Sequence, residues 1–107
     1  MDSMLDRFSG DEGRRRLTDQ LVKQLIVAGN AKLAARISDV GEVIEATEGQ
    51  AIIRQDAADN DLFLIVSGSL RILVNGRDVA IRRAGEHVGE MAIVDPSTAR
   101  TAAVVAA

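Results

Sequence analysis

LRILVNGRDVAIR, residues 70–82, is the stretch on which the reading of the fold turns. Leu70, Ile72 and Val74 alternate with Arg71 and Leu73, the period of two expected of a strand with one face turned inward. Asn75-Gly76 separates this run from a second one at 78–82. Asn-Gly between two such runs is the strongest short-range signal for a two-residue hairpin, because a type I′ turn needs positive φ at both central positions. Working outward, further segments of the same kind lie at 42–46, 51–54, 62–66 and 101–106. All are short, and most are rich in Val, Ile or Leu and separated by Gly, Asp or Asn. Gly49, the stretch 56–61 and Ser67-Gly68-Ser69 mark additional tight turns. Several short strands at this spacing imply an antiparallel sandwich or small jelly-roll barrel rather than an alternating α/β fold.

Upstream of the strands the period is helical. Ser9 followed by Glu12 has capping-box spacing, and Asp11 and Glu12 suit the positive end of a helix. Leu17, Leu21, Val22, Leu25 and Ile26 form one apolar stripe, and Gly29 can end the helix in the left-handed conformation. Asn30 is the expected cap of a second helix that turns Leu33, Ala34 and Ile37 inward and ends over 38–41. The run Arg14-Arg15-Arg16 reads as a solvated helix face with local acidic partners in preference to a phosphate site. The expected organisation is a single domain over 1–107, mainly β with N-terminal helices at 1–41 and the barrel at 42–107. TAAVVAA, 101–107, reads as a strand with an apolar edge left uncovered, so continuation into a longer protein is expected.

Composition narrows the function classes. The chain has 107 residues, 47% apolar and 27% charged, as in a globular protein with one core. Aromatic residues are only 2%, Phe8 and Phe63, so stacking of bases on an aromatic platform is disfavoured. A net charge of −3 gives no general attraction to nucleic acid or anionic membranes, and neither is expected as a partner. With no cysteine, thiolate metal sites and disulfides are excluded. The N-terminal MDSMLDRFSGDEGRRR lacks the apolar run of a signal peptide, and the expected location is cytoplasmic.

The stretch with chemistry in it is GEMAIVDPSTART, 89–101. Gly89 has no Cβ and lets backbone approach a ligand closely. Residues 90–94 can form one helical turn whose first N–H groups, among them those of Met91 and Ala92, point outward unsatisfied and suit an anion. Arg100 adds a planar fork that fits two phosphate oxygens, and Thr101 a neighbouring hydroxyl. Glu90 beside a phosphate would be repelled unless it turned toward neutral donors such as ribose hydroxyls, so the set specifies a nucleotide more than a bare phosphate. The plainer reading makes Gly89 only a turn, Glu90 a first-turn helix residue, and Arg100 a surface residue paired with Asp95. On spacing alone the two readings stay level.

These residues resemble the cyclic nucleotide-binding domain family, whose phosphate-binding cassette reads Gly-Glu, small or apolar residues, a variable turn, then Arg, a small or hydroxyl residue and Ala. The match runs through Gly89, Glu90, Met91, Ala92, Ile93 and Val94 to Arg100, Thr101 and Ala102, with Gly49, Gly68 and Gly85 also in place. The resemblance extends from Val43 to Ala106 and implies a CAP-like jelly roll. It implies that Glu90 holds the ribose 2′-hydroxyl, Arg100 the cyclic phosphate, Gly89 and Ala92 supply backbone donors, and Thr101 a hydroxyl. Three departures stand out: Val88 occupies a position often held by Phe, the base must rest on aliphatic residues such as Ile72 and Val79, and the family's C-terminal strand and lid helices are not in this sequence.

A narrower similarity, carried by RFSGDEGRRRLTDQL, VAGNAKLA, AADND, VNGR and AGEHVGEMA, is to the N-terminal receptor module of Pycsar TIR effectors. In that bacterial anti-phage group a cyclic pyrimidine nucleotide such as cUMP activates an attached NAD-degrading TIR domain. The resemblance implies a non-enzymatic sensor with no cofactor, a cyclic mononucleotide as ligand with cUMP ahead of cGMP or cAMP, a C-terminal TIR effector and an open question of homo-oligomerisation. Thr at position 101 points weakly to cGMP. Three other readings compete. A cupin-type metalloenzyme would need several His, and the chain has only His87. A degenerate pocket would have lost Glu90 or Arg100. A transcription factor would need a DNA-reading element outside these residues.

Overall fold

The computed structural model describes residues 4–59, 61–90 and 99–107. It divides into two compact units, Met1–Glu45 and Ala46–Ala107, a boundary a few residues beyond the 41/42 change of period.

The first unit holds a short 3₁₀ helix, Met4–Phe8, then α1, Gly10–Val22, and α2, Ala31–Val40. Leu17, Leu21, Val27 and Ala34 are buried. A side chain on Gly13 would run into the Phe8 backbone, so glycine is what allows the 3₁₀ turn to sit against α1. Arg14 pairs with Asp39 at 2.9 Å and Arg16 with Glu12 at 3.3 Å, the acidic partners expected of a solvated arginine face. Asn30 caps α2 as expected, its side chain accepting from the Leu33 N–H at 3.0 Å.

Three expectations are corrected here. α1 stops at Val22, and the chain continues through turns in which Val27 N–H and Ala28 N–H both bond to Gln24 O. Val27 is thereby buried, while Leu25 and Ile26 are 72% and 43% exposed. Two consecutive left-handed residues, Ala28 (φ 54°) and Gly29 (φ 79°), finish the segment. Ser9 is the N-cap but makes no side-chain cap bond, and its hydroxyl bonds instead to Leu5 O. Leu33 lies on the exposed side of α2, and Ser38 takes a buried position.

In the second unit β1 (Ala51–Ile53), β6 (Ala103–Ala106), β3 (Ser69–Val74) and β4 (Arg77–Arg83) form an antiparallel sheet in the order β1-β6-β3-β4. β2 (Phe63–Leu64) and β5 (His87–Val88) form a second, two-stranded sheet. Asn75 (φ 51°) and Gly76 (φ 80°) make the expected I′ turn between Val74 and Arg77. The Gln55 side chain clamps that turn, donating to Asn75 Oδ1 and accepting from Asn75 N–H, both at 2.8 Å.

The core lies between the two sheets: Ile53, Ile65, Leu70, Val88, Val104 and Ala106, with Phe63 and Ile72 packed against it. Register decides which residues share its face. Leu70 stands opposite Ala106 and Arg82, and Ile72 opposite Val104 and Ala80. Directly opposed residues project to the same side of a sheet, so Arg82 and Ala80 are on the core-facing side of β4. A bulge between Ile72 and Leu73 breaks the alternation at Val79. Residues 42–46 form no strand, although Ala46 packs on the core. β5 was not expected, because two residues are too few to show a period.

A cleft built around a buried arginine

A cleft of about 170 Å³ opens in the second unit. Its apolar lining comes from Ile53, Ile72, Val88 and Val104, and its polar lining from Arg82, His87, Glu90, Arg100 and Thr101, with Gly89, Ala99 and Ala102 between them.

Arg100 is held by both backbone and side chain. Its N–H donates to Ala57 O, and its carbonyl accepts from Asp56 N–H, each at 2.8 Å, so it is laced to the 54–61 loop before β6 begins. The side chain is only 6% exposed. Nη2 donates to Asp61 O at 2.7 Å and to Asp59 Oδ2 at 2.9 Å, and Nη1 donates to Gly89 O at 3.3 Å. Nε is buried with no partner among the described residues. A buried donor without an acceptor costs on the order of 1–3 kcal/mol, which an incoming anion would relieve. The hydrogen bond from Arg100, reinforced by its charge, holds the Asp59 carboxyl below its ordinary value, while partial desolvation works in the opposite direction.

Gly89 is required on two counts. Its φ of 91° lies in the left-handed region, and a Cβ there would come within 2.6 Å of Asp61 O and 3.0 Å of Arg100 Nη1. The close approach that its missing side chain permits is therefore to the arginine and its seat. Glu90 follows with its side chain 53% exposed, and its Oε2 lies 4.0 Å from His87 Nε2.

The structure thus brings together Gly89, Glu90, Arg100, Thr101 and Ile72, residues read from sequence as one site. Val79 does not join them: it sits at the bulge, 59% exposed, and is not part of the cleft wall. Met91, Ala92 and the helical turn expected at 90–94 lie outside the described residues, apart from Glu90, as does Asp95. Among the described residues the carboxylate partner of Arg100 is Asp59. Asp59, Asp61 and Arg82 were not singled out from sequence. The first two lie in a stretch that entered only as a turn and as part of the family resemblance. Arg82 could not be placed by counting alternation outward from Asn75-Gly76, because the bulge at Val79 shifts the face of β4. Among the described residues no group of three His, Cys, Asp or Glu could hold a metal, and no helix is long and apolar enough to cross a membrane.

A jelly-roll unit with a glycine-seated arginine and a neighbouring glutamate at one cleft defines a class of small-ligand-binding domain. The sequence pattern of the cyclic nucleotide-binding domain matches residues 43–107, and the chain belongs to that family. Its fold is that of cAMP-bound PfPKA-R (141-441), with a TM-score of 0.79 at 18% identity over 87% of this chain and 33% of that one. It is 44% identical over 102 residues to the Pycsar effector protein XpPycTIR of Xanthomonas perforans, covering 95% of this chain and 34% of that protein. It is 43% identical over 104 residues to BcPycTIR of Burkholderia cepacia, covering 97% and 34%. The chain spans about a third of the length of these curated relatives.

Proposed function

We propose that this chain is the sensor module of a signalling protein, and that it captures a cyclic mononucleotide in the cleft around Arg100. The observation that supports this best is the buried guanidinium with its unpartnered Nε, in a cleft that also contains Glu90 and Thr101. Arg100 meets the cyclic phosphate, aided by backbone donors at Gly89 and Ala92 and by the Thr101 hydroxyl. Glu90, acceptor-only when ionised, accepts a hydrogen bond from the ribose 2′-hydroxyl. Met91 belongs to the same cassette, and Ile72 offers an aliphatic surface to the base.

The ligand proposed first is cUMP, a choice supported by similarity to the Pycsar effectors, with cGMP second because of Thr101 and cAMP third. Occupancy then regulates an attached TIR effector that degrades NAD, in a cytoplasmic anti-phage response. That part rests on similarity to Pycsar TIR effectors about three times longer than this chain.

Calorimetry on the intact protein with cUMP, cCMP, cGMP and cAMP tests the reading. Binding at about micromolar affinity or tighter is expected for at least one of the four. Arg100→Ala should cost about 2–5 kcal/mol of that binding. No heat with any of the four nucleotides would overturn it.

A further inference from the structure

Arg82 is out of character for its position. The residues across the sheet on its side of β4 and β3 are apolar: Leu70 directly opposite, Ala106 beyond it, and Ile72 and Val104 one rung along. Three of these, Leu70, Val104 and Ala106, belong to the buried core. A strand in a small barrel normally fills such a position with an aliphatic residue. Here the position holds an arginine that is itself exposed and lines the cleft.

That guanidinium is little engaged. Its hydrogen bond among the described residues goes from Nη1 to Ile81 O, the carbonyl of the preceding residue, at 3.3 Å. Among the described residues no carboxylate lies within ion-pair distance of it, whereas Arg71 on the other side of the same hairpin pairs with Asp78 at 3.4 Å. Among the polar cleft residues, Arg100, Thr101 and Glu90 have roles toward phosphate and ribose in the proposed function, and His87 lies 4.0 Å from Glu90. Arg82 reaches the cleft from a different strand and has no such role. The part of a nucleotide still without a polar contact is the base, and no aromatic residue lines the cleft to hold it by stacking.

Guanidinium is a donor only. It matches base edges that present carbonyl oxygens, O4 of uracil or O6 and N7 of guanine, and it opposes the exocyclic amino groups of cytosine and adenine. Resting on the cyclic-nucleotide reading above, we infer that Arg82 is a specificity-determining residue that reads the base, selecting oxo-bases over amino-bases.

The experiment is calorimetry of the intact protein and its Arg82→Leu and Arg82→Lys variants against cUMP, cGMP, cCMP and cAMP. Circular dichroism serves as the check that each variant folds. In the unsubstituted protein each oxo-base nucleotide should bind more tightly than its amino counterpart, cUMP over cCMP and cGMP over cAMP, by roughly tenfold to a hundredfold. Arg82→Leu should bring the members of each pair to within a few-fold of one another, chiefly by weakening the oxo-base ligands. Arg82→Lys, which keeps the charge and loses the fork, should shrink the preference without abolishing it. Should the leucine variant not fold, the lysine variant alone decides the matter: an undiminished preference sinks the inference. Equal weakening of all four ligands by leucine would make Arg82 a second phosphate partner and overturn it. So would a preference unchanged in the leucine variant, or amino-base preference in the unsubstituted protein. These results leave the cyclic-nucleotide reading standing, whereas absence of binding by all four in the unsubstituted protein removes both.

Discussion

The β3–β4 hairpin and the seat of Arg100 are both built on left-handed glycines, yet they hold their shape by different means. In the hairpin the pairing partners are close in sequence: Val74 meets Arg77 across Asn75-Gly76, and the ladder zips outward from that turn. In the seat, Arg100 meets Asp59 across 41 residues, Asp61 across 39 and Gly89 across 11. Gly76 has nothing within 4 Å of where a Cβ would stand, while Gly89 has a carbonyl oxygen at 2.6 Å and a guanidinium nitrogen at 3.0 Å. One glycine serves the backbone alone. The other serves backbone and packing together.

Replacing each glycine by alanine should separate these two roles. Gly76→Ala meets only the backbone penalty of the left-handed region, about 1–2 kcal/mol. Gly89→Ala adds a collision with Asp61 O, a backbone atom that cannot swing aside, and should cost about 3 kcal/mol or more, with loss of nucleotide binding as Arg100 is displaced. Urea unfolding of the two variants measures the gap, and equal losses would break the comparison. A smaller effect is expected at Gln55, the long-range clamp on the otherwise local hairpin. Gln55→Ala removes two hydrogen bonds at an exposed turn and should lower stability by about 1 kcal/mol. If hydrogen exchange at residues 74–77 were unchanged in that variant, the turn would be fully specified by its own sequence.

The smallest effect concerns Asp59. Its carboxyl is held below the ordinary value of 3.8 chiefly by the hydrogen bond from Arg100. A depressed carboxylate contributes stability that is fully present above its unfolded pKa and is lost as pH falls through the folded one. The pair should therefore act undiminished at neutral pH and weaken only below about pH 4. Because the Asp59 side chain is 42% exposed, solvent screening keeps the contribution of this ion pair at about 1 kcal/mol or less. Asp59→Asn should flatten the acid end of a stability–pH profile and leave its neutral plateau slightly lowered. A profile identical to that of the unsubstituted protein would show that Asp61 O and Gly89 O alone seat the arginine.

Legibility in the sequence follows the same division. Alternation in Leu70, Ile72 and Val74, the Asn75-Gly76 turn and the Asn30 cap are each written within a few residues, and the structure has all three. The cassette residues Gly89, Glu90, Arg100 and Thr101 were readable as a set because their spacing resembles a known pattern, and they do line one cleft. Val79 was misplaced because a bulge one rung from Ile72 shifts the face of β4, and a single inserted residue leaves no trace in a period-2 pattern. Leu25 and Ile26 continued a helical stripe on paper, but turns closed by Gln24 and Ala28-Gly29 end the element and bury Val27 instead.

By itself the sequence determined the kind of protein: an antiparallel jelly roll preceded by two helices, with a glycine, a glutamate and an arginine at one cassette. Periodicity and turn chemistry are properties of neighbouring residues, so they survive without any knowledge of the fold. Only the tertiary structure decided what Arg100 leans on, and that Arg82 stands on the core side of its strand. Hydrogen-bond partners some 40 residues apart and the face a side chain takes after a bulge are set by closure of the sheet, which no local pattern encodes.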